Sequence, residues 1–155
     1  MLVRKATMDD IEALRVLYYE LEQDAVKYQP EHFKIGYRDD SFFETILNSK
    51  NQDILIAEID SNVVGFSHVI ILKQKNISCL KPQTVVYIQD LAVMTGMRSQ
   101  GIGSVLMNAC KEYGLTHGAD FIRTQVFPQN IDGIRFYEKN GFCEMMKTIE
   151  CQFNK

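Results

Sequence analysis

The stretch Arg98-Ser99-Gln100-Gly101-Ile102-Gly103-Ser104 holds the residue types and spacing best suited to chemistry in this chain of 155 residues. It joins a β-branched run to an amphipathic one, so it reads as a strand-to-helix turn. The first turn of a helix leaves its N–H groups without partners, and the helix dipole adds partial positive charge there. Together they form a seat for an anion. Glycines at 101 and 103 carry no Cβ to hold a phosphate away from the backbone. Arg98 adds positive charge at the lip. Three phosphate-binding designs have to be told apart. A P-loop requires G-x-x-x-x-G-K-S/T, and no Lys follows these glycines. A dinucleotide site requires G-x-G-x-x-G, and its third glycine position, counted from Gly101, holds Leu106. What remains is R-x-x-G-x-G between a strand and a helix. It reads as a phosphate cradle, and the plainer alternative is a glycine-rich turn that only starts a helix.

Other reactive residues point to less. Cys79, Cys110, Cys143 and Cys151 are widely spaced and form no C-x-x-C or zinc pattern, so no metal is expected and the thiols read as buried and reduced. Cys110 falls near the apolar stripe of a helix, where core packing outweighs nucleophilic chemistry. Tyr18, Tyr19, Glu20, Glu22, Asp24, Tyr28 and Phe33 mix acids with aromatics in the N-terminal part. Such a set can hold an amine by charge and cation–π contact, although a solvated helix face beside core aromatics is the simpler account.

These residues need elements to position them. Val3 to Ala6 reads as a strand, and Thr7 with Asp10 as a capping box opening a helix on Ile11, Leu14, Leu17, Tyr18 and Leu21. Ser41 with Glu44 reads as a second box, before Phe43, Ile46 and Leu47. Ile54 to Ile59 and Val63 to Leu72 form a hairpin turned by Asp60-Ser61-Asn62. Thr84 to Val93 is a strand covered on both faces. Ile102, Val105, Leu106, Ala109 and Tyr113 define the apolar face of the next helix, with Gly118 past its end. Phe121 to Val126 is a strand, Pro128-Gln129-Asn130 turns into a helix running to Asn140, and a last strand starts at Phe142. The order β-α-α-β-β-β-α-β-α-β predicts an α/β (α+β) fold with a mixed sheet. One domain over 1–155 suits the length. A net charge of −3 without long like-charge blocks excludes nucleic acid and anionic membrane as main partners. No apolar stretch reads as a secretory signal or a bilayer span, so a cytoplasmic protein is expected.

Two motifs carry a resemblance. Asp90-Leu91-Ala92-Val93 is followed by Arg98-x-x-Gly101-x-Gly103, and downstream come Asn130, Phe136-Tyr137 and Gly141-Phe142. Together they resemble the GNAT superfamily of N-acetyltransferases, in order and spacing, from Val3 nearly to the end. Gly133 departs from the pattern, where Ala is more usual, and an interior helical Gly costs about 1 kcal/mol. The resemblance implies a mostly antiparallel central sheet flanked by helices, with splayed parallel strands at the cofactor site. It implies acetyl-CoA as donor, with pantetheine on the main chain of Leu91, Ala92 and Val93. The pyrophosphate would lie on Arg98 and the amides of Ser99, Gln100, Gly101, Ile102, Gly103 and Ser104. Asn130 and Tyr137 would face the thioester. An amine of a small molecule or peptide would attack directly. Tyr137 would protonate the thiolate, since a phenol near ~10 and a thiol near ~8.5 are close enough for transfer. Asp90 stands where many relatives place an acid, to act as base or to attract a cationic amine, and a β-bulge there would decide which face it takes. The Tyr87 to Asp90 stretch is similar to that of polyamine acetyltransferases. Homodimers are common in the family. The competing reading is a non-catalytic acetyl-CoA-binding sensor on the same fold.

Overall fold

A computed structural model describes residues 1–75 and 77–153. Its strands are β1 (Leu2–Lys5), β2 (Gln52–Ile59), β3 (Asn62–Lys73), β4 (Thr84–Val93) and β5 (Phe121–Arg123). Its helices are α1 (Ile11–Tyr28), α2 (Asp40–Leu47), α3 (Ile102–Thr116) and α4 (Ile131–Lys139). The strands form one sheet in the order β1-β2-β3-β4-β5. The first three pairings are antiparallel and β4–β5 is parallel. A short turn joins β2 to β3, β1 reaches its antiparallel neighbour β2 only after α1 and α2, and the parallel pair needs the α3 crossover.

Both faces of the sheet are covered, as alternation along β2 requires. Ile54 and Ile56 pack with Leu14, Leu17, Tyr18, Phe43 and Ile46 of α1 and α2. Leu55 and Ala57 face the α3 side, with Leu106, Met107 and Cys110. The α3 stripe is turned slightly from expectation. Met107 and Cys110 are fully buried, while Val105 and Ala109 stay half-buried.

Local signals account for most helix ends. The Asp10 carboxylate accepts from the Thr7 N–H at 2.8 Å, closing the first capping box. The second box is corrected: Asp39 caps α2, accepting from the Phe42 N–H at 3.1 Å, and Ser41 lies inside the helix. Gly118, at φ 66°, ends the α3 region in the left-handed conformation that glycine tolerates.

Two strand expectations fail. β5 stops at Arg123 instead of Val126, because the next residue, Thr124, turns its hydroxyl onto the Ile88 carbonyl at 3.0 Å and ends the ladder. No strand follows Phe142 among the described residues. Its template would be the outer edge of a three-residue β5, and Met145, Met146 and Ile149 stay mostly exposed. Without a ladder partner or a buried face, a segment has little to offset its ordering entropy. The thiol expectation also needs correcting, since only Cys110 is buried while Cys79, Cys143 and Cys151 are exposed.

Candidate active site

The β4–β5 ladder pairs Val85 with Phe121, Val86 with Ile122 and Tyr87 with Arg123, and then ends. β4 continues to Val93 without a strand on that side. Past Tyr87 the outer edge of β4 is therefore unpaired by any described strand, although the Thr124 hydroxyl still reaches the Ile88 carbonyl. Ligands of open α/β sheets bind at such carboxyl ends of parallel strands.

The turn between β4 and α3 follows directly on this unpaired edge. Ser99 (φ 63°) and Gly101 (φ 84°) are both left-handed, and left-handed residues in a turn are a feature of the backbone nests that bind anions. Gly101 is the N-cap of α3, and no side chain among the described residues caps it. The first bond into the helix runs from the Val105 N–H to the Gly101 carbonyl at 3.1 Å. The amides of Ile102, Gly103 and Ser104 are therefore left over as donors. Ser99, Gln100 and Gly101 are exposed, whereas Ile102 is buried with its side chain in the core. The two glycines do different work. A Cβ on Gly101 would meet nothing, so conformation is what selects glycine there. A Cβ on Gly103 would lie 3.2 Å from the Phe136 ring, so this glycine lets α4 approach α3.

Arg98 is not a free charge at the lip. Its Nε donates to the Val93 carbonyl and its Nη2 to Asp24 of α1, both at 3.0 Å. Glu20 of α1 likewise accepts from the Thr95 amide at 2.8 Å. Glu22 pairs with Arg38, and Tyr28 and Phe33 pack on Phe127. The acids and aromatics of the N-terminal part are thus largely engaged with the protein's own groups.

Asn130 caps α4, its Oδ1 accepting from the Gly133 N–H at 2.9 Å. A Cβ on Gly133 would come within 2.5 Å of the Asn130 amide, so glycine makes room for the cap. This residue sits in the first turn of α4, not its interior, and its departure from the common Ala has a local cause. Tyr137 packs against Phe136 and Phe142 with centroids at 5.3 and 5.4 Å. Burial raises its phenol above the usual value, and the neighbouring Thr124 hydroxyl pulls the other way. Tyr137 therefore stays protonated throughout the neutral range.

A bulge fixes Asp90. β3 pairs His68 with Asp90 and Val69 with Ile88, leaving Gln89 as the extra residue on β4. Ile88 and Leu91 face α3, whereas Ala92 faces α1. Without the bulge, Asp90 would share a face with Ile88. With it, Asp90 turns toward α1, where the Tyr18 hydroxyl donates to its Oδ2 at 3.4 Å. The Ser67 hydroxyl donates to the Asp90 carbonyl at 3.0 Å from the opposite side.

Residues 15–142 match the sequence model of the Acetyltransferase (GNAT) family. The chain belongs to the GNAT acetyltransferase family. Its relatives include an uncharacterized N-acetyltransferase of Methanocaldococcus jannaschii, 25% identical over 92% of this chain and 60% of that protein. The chain thus spans about three-fifths of that relative's length. A crystal structure of a mutant Bacillus halodurans protein shares the fold with a TM-score of 0.95, at 24% identity over 99% of this chain and 100% of that one. An aminoglycoside N-acetyltransferase in complex with CoA has a TM-score of 0.76, at 19% identity over 99% of this chain and 100% of that one.

This GNAT chain also brings in residues that sequence reading passed over. His68 of β3 faces the Asp90 carboxylate while its Nε2 lies on Gln52 of β2, and Tyr18, already singled out in the N-terminal set, reaches the same carboxylate from α1. A lone His in an apolar strand carries no signal of its own. The available hint was the change of pattern at Ile88-Gln89-Asp90, where alternation breaks inside an otherwise continuous strand.

Proposed function

We propose that this protein is an N-acetyltransferase that moves the acetyl group of acetyl-CoA to a primary amine of a small molecule or peptide. One observation carries the reading: the uncapped amides at the start of α3 follow a strand, β4, that runs on past the end of β5. The residues fit the cofactor. The amides from Ser99 to Ser104 would hold the diphosphate, assisted by whichever N–H groups of Arg98 its protein partners leave over. The unpaired β4 edge at Leu91, Ala92 and Val93 would align the pantetheine arm, as one strand aligns another. Asn130, with its oxygen committed to the cap, would offer its amide N–H groups to the same arm.

Bound acetyl-CoA supplies an acetyl group activated as a thioester. Tyr137, kept protonated by burial, would donate to the departing thiolate. Asp90, turned to the α1 side, would receive the ammonium acceptor and take a proton from it. A main-chain N–H of the β4 edge is the donor available to the carbonyl oxygen. No helix among the described residues is long and apolar enough to cross a membrane, and we assign the protein to the cytoplasm. We place no nucleic acid or metal in the reaction.

The test is thiol release from acetyl-CoA against a panel of polyamines, amino sugars, amino acids and peptide N-termini, followed by mass spectrometry of the product. Release with at least one amine is expected. In the Tyr137→Phe variant, kcat should fall by about 100-fold while acetyl-CoA affinity holds. Tight cofactor binding without release on any amine would favour a sensor.

A further inference from the structure

We propose that His68 is a positioning residue for Asp90: the two form a buried proton-holding pair through which Asp90 takes the proton of an incoming ammonium acceptor. The inference rests on the acetyl-transfer reading above. The roles of the two imidazole nitrogens follow from their neighbours. Nε2 lies 2.8 Å from Gln52 Oε1, an atom that only accepts, so Nε2 carries a proton and donates it. Nδ1 of the neutral ring is then a bare lone pair. It is buried, has no hydrogen-bond partner among the described residues, and faces Asp90 Oδ2 at 3.7 Å. A lone pair turned toward a carboxylate oxygen in a dry site is repulsive, and a proton between them reverses the sign. The geometry has a place for one proton more than a neutral imidazole and an ionised carboxylate carry.

The surroundings leave that place open. Tyr18 of α1 puts its hydroxyl on the same carboxylate, and burial keeps it protonated. Tyr87 on β4 and Tyr137 on α4 are phenols raised above their usual values by burial, hence neutral neighbours as well. Arg38 stacks on the outer part of the cluster, 4.1 Å from the Tyr18 ring, with its charge balanced by Glu22.

Access is divided between the two partners. The Asp90 side chain is 20% exposed and the His68 side chain 7%. Asp90 can meet an acceptor, and His68 acts only through it. On arrival of the acceptor, an N–H bond of the ammonium breaks. Its proton passes to Asp90 and is shared with Nδ1. The nitrogen keeps the electron pair that attacks the thioester carbonyl. After product release the proton leaves to solvent by way of the Asp90 carboxylate.

Imidazole NMR of the protein alone tests the pair, because there are only three histidines, His32, His68 and His117. The His68 titration is expected to change in Asp90→Asn while His32 and His117 titrate as before. An unchanged His68 titration overturns the pair. In His68→Gln, which can still bond Gln52 but cannot take a proton, kcat/KM for the amine should fall by about tenfold or more. The KM for acetyl-CoA should stay within about twofold, and the acidic limb of the pH–rate profile should move to lower pH. His68→Asn carries the same expectation and serves if the Gln variant does not fold. A loss equal at every pH, with the limb in place, means a structural role and overturns the proposal. Absence of thiol release by the native enzyme on any amine would instead sink the transferase reading, and the NMR result would still decide whether the pair holds a proton.

Discussion

Gly65 shows how tightly single residues set the site. It lies on β3 opposite Val93, and a Cβ there would sit 2.9 Å from the Ala92 carbonyl oxygen and 3.2 Å from Leu106 Cδ1. The first contact is with backbone and cannot rotate away. Gly65→Ala should cost about 1–3 kcal/mol of stability, read by urea unfolding, because β4 must shift to admit one methyl group. The same shift would disturb the Leu91–Val93 edge, so cofactor affinity should fall with it. The glycine was visible in the sequence, but nothing in its type distinguished a close approach from a bulge. Gly101 and Gly103 teach the same point, since one is chosen for its φ and the other for the ring of Phe136.

Elements are tied to one another by a few charged groups, and β1 with α1 is the best case. Arg4 donates to both Asp10 oxygens at 2.8 and 2.9 Å and to Glu58 on β2 at 2.8 Å. The hydrogen bonds from Arg4, together with the Thr7 amide, hold the Asp10 carboxyl below its ordinary 3.8 although burial pushes upward. A folded value below the unfolded one means the stabilisation is full above the unfolded value and is lost as pH falls through the folded one. Asp10→Asn should therefore cost about 1–2 kcal/mol at neutral pH. The gap between variant and native protein should close below about pH 4, as followed by thermal unfolding across the acid range. The Thr7–Asp10 box was legible because its partners are three residues apart. The Arg4 and Glu58 contacts were not, since their register depends on how β1 lies on β2.

The whole molecule is a sheet sealed on both faces at its centre and loosely dressed beyond α4. Cys110 sits fully buried where α3 meets the sheet, and burial pushes its thiol up to about 11. Cys79, Cys143 and Cys151 are exposed. In the native protein three thiols should react with a disulfide reagent within minutes, and Cys110 only at the rate of global opening. Rapid labelling of all four would contradict the packing of α3. Element types, their order as far as α4 and the anion-ready turn could be read from the chain alone, because periodicity, caps and glycine spacing are local properties. The family likeness rested on those same local runs. Only the tertiary structure decided where the β4–β5 ladder stops, that Asp24 holds Arg98, and that the bulge at Gln89 turns Asp90 toward His68 and Tyr18. Each of those depends on pairing between segments distant in sequence, and strand register carries no mark in any one strand.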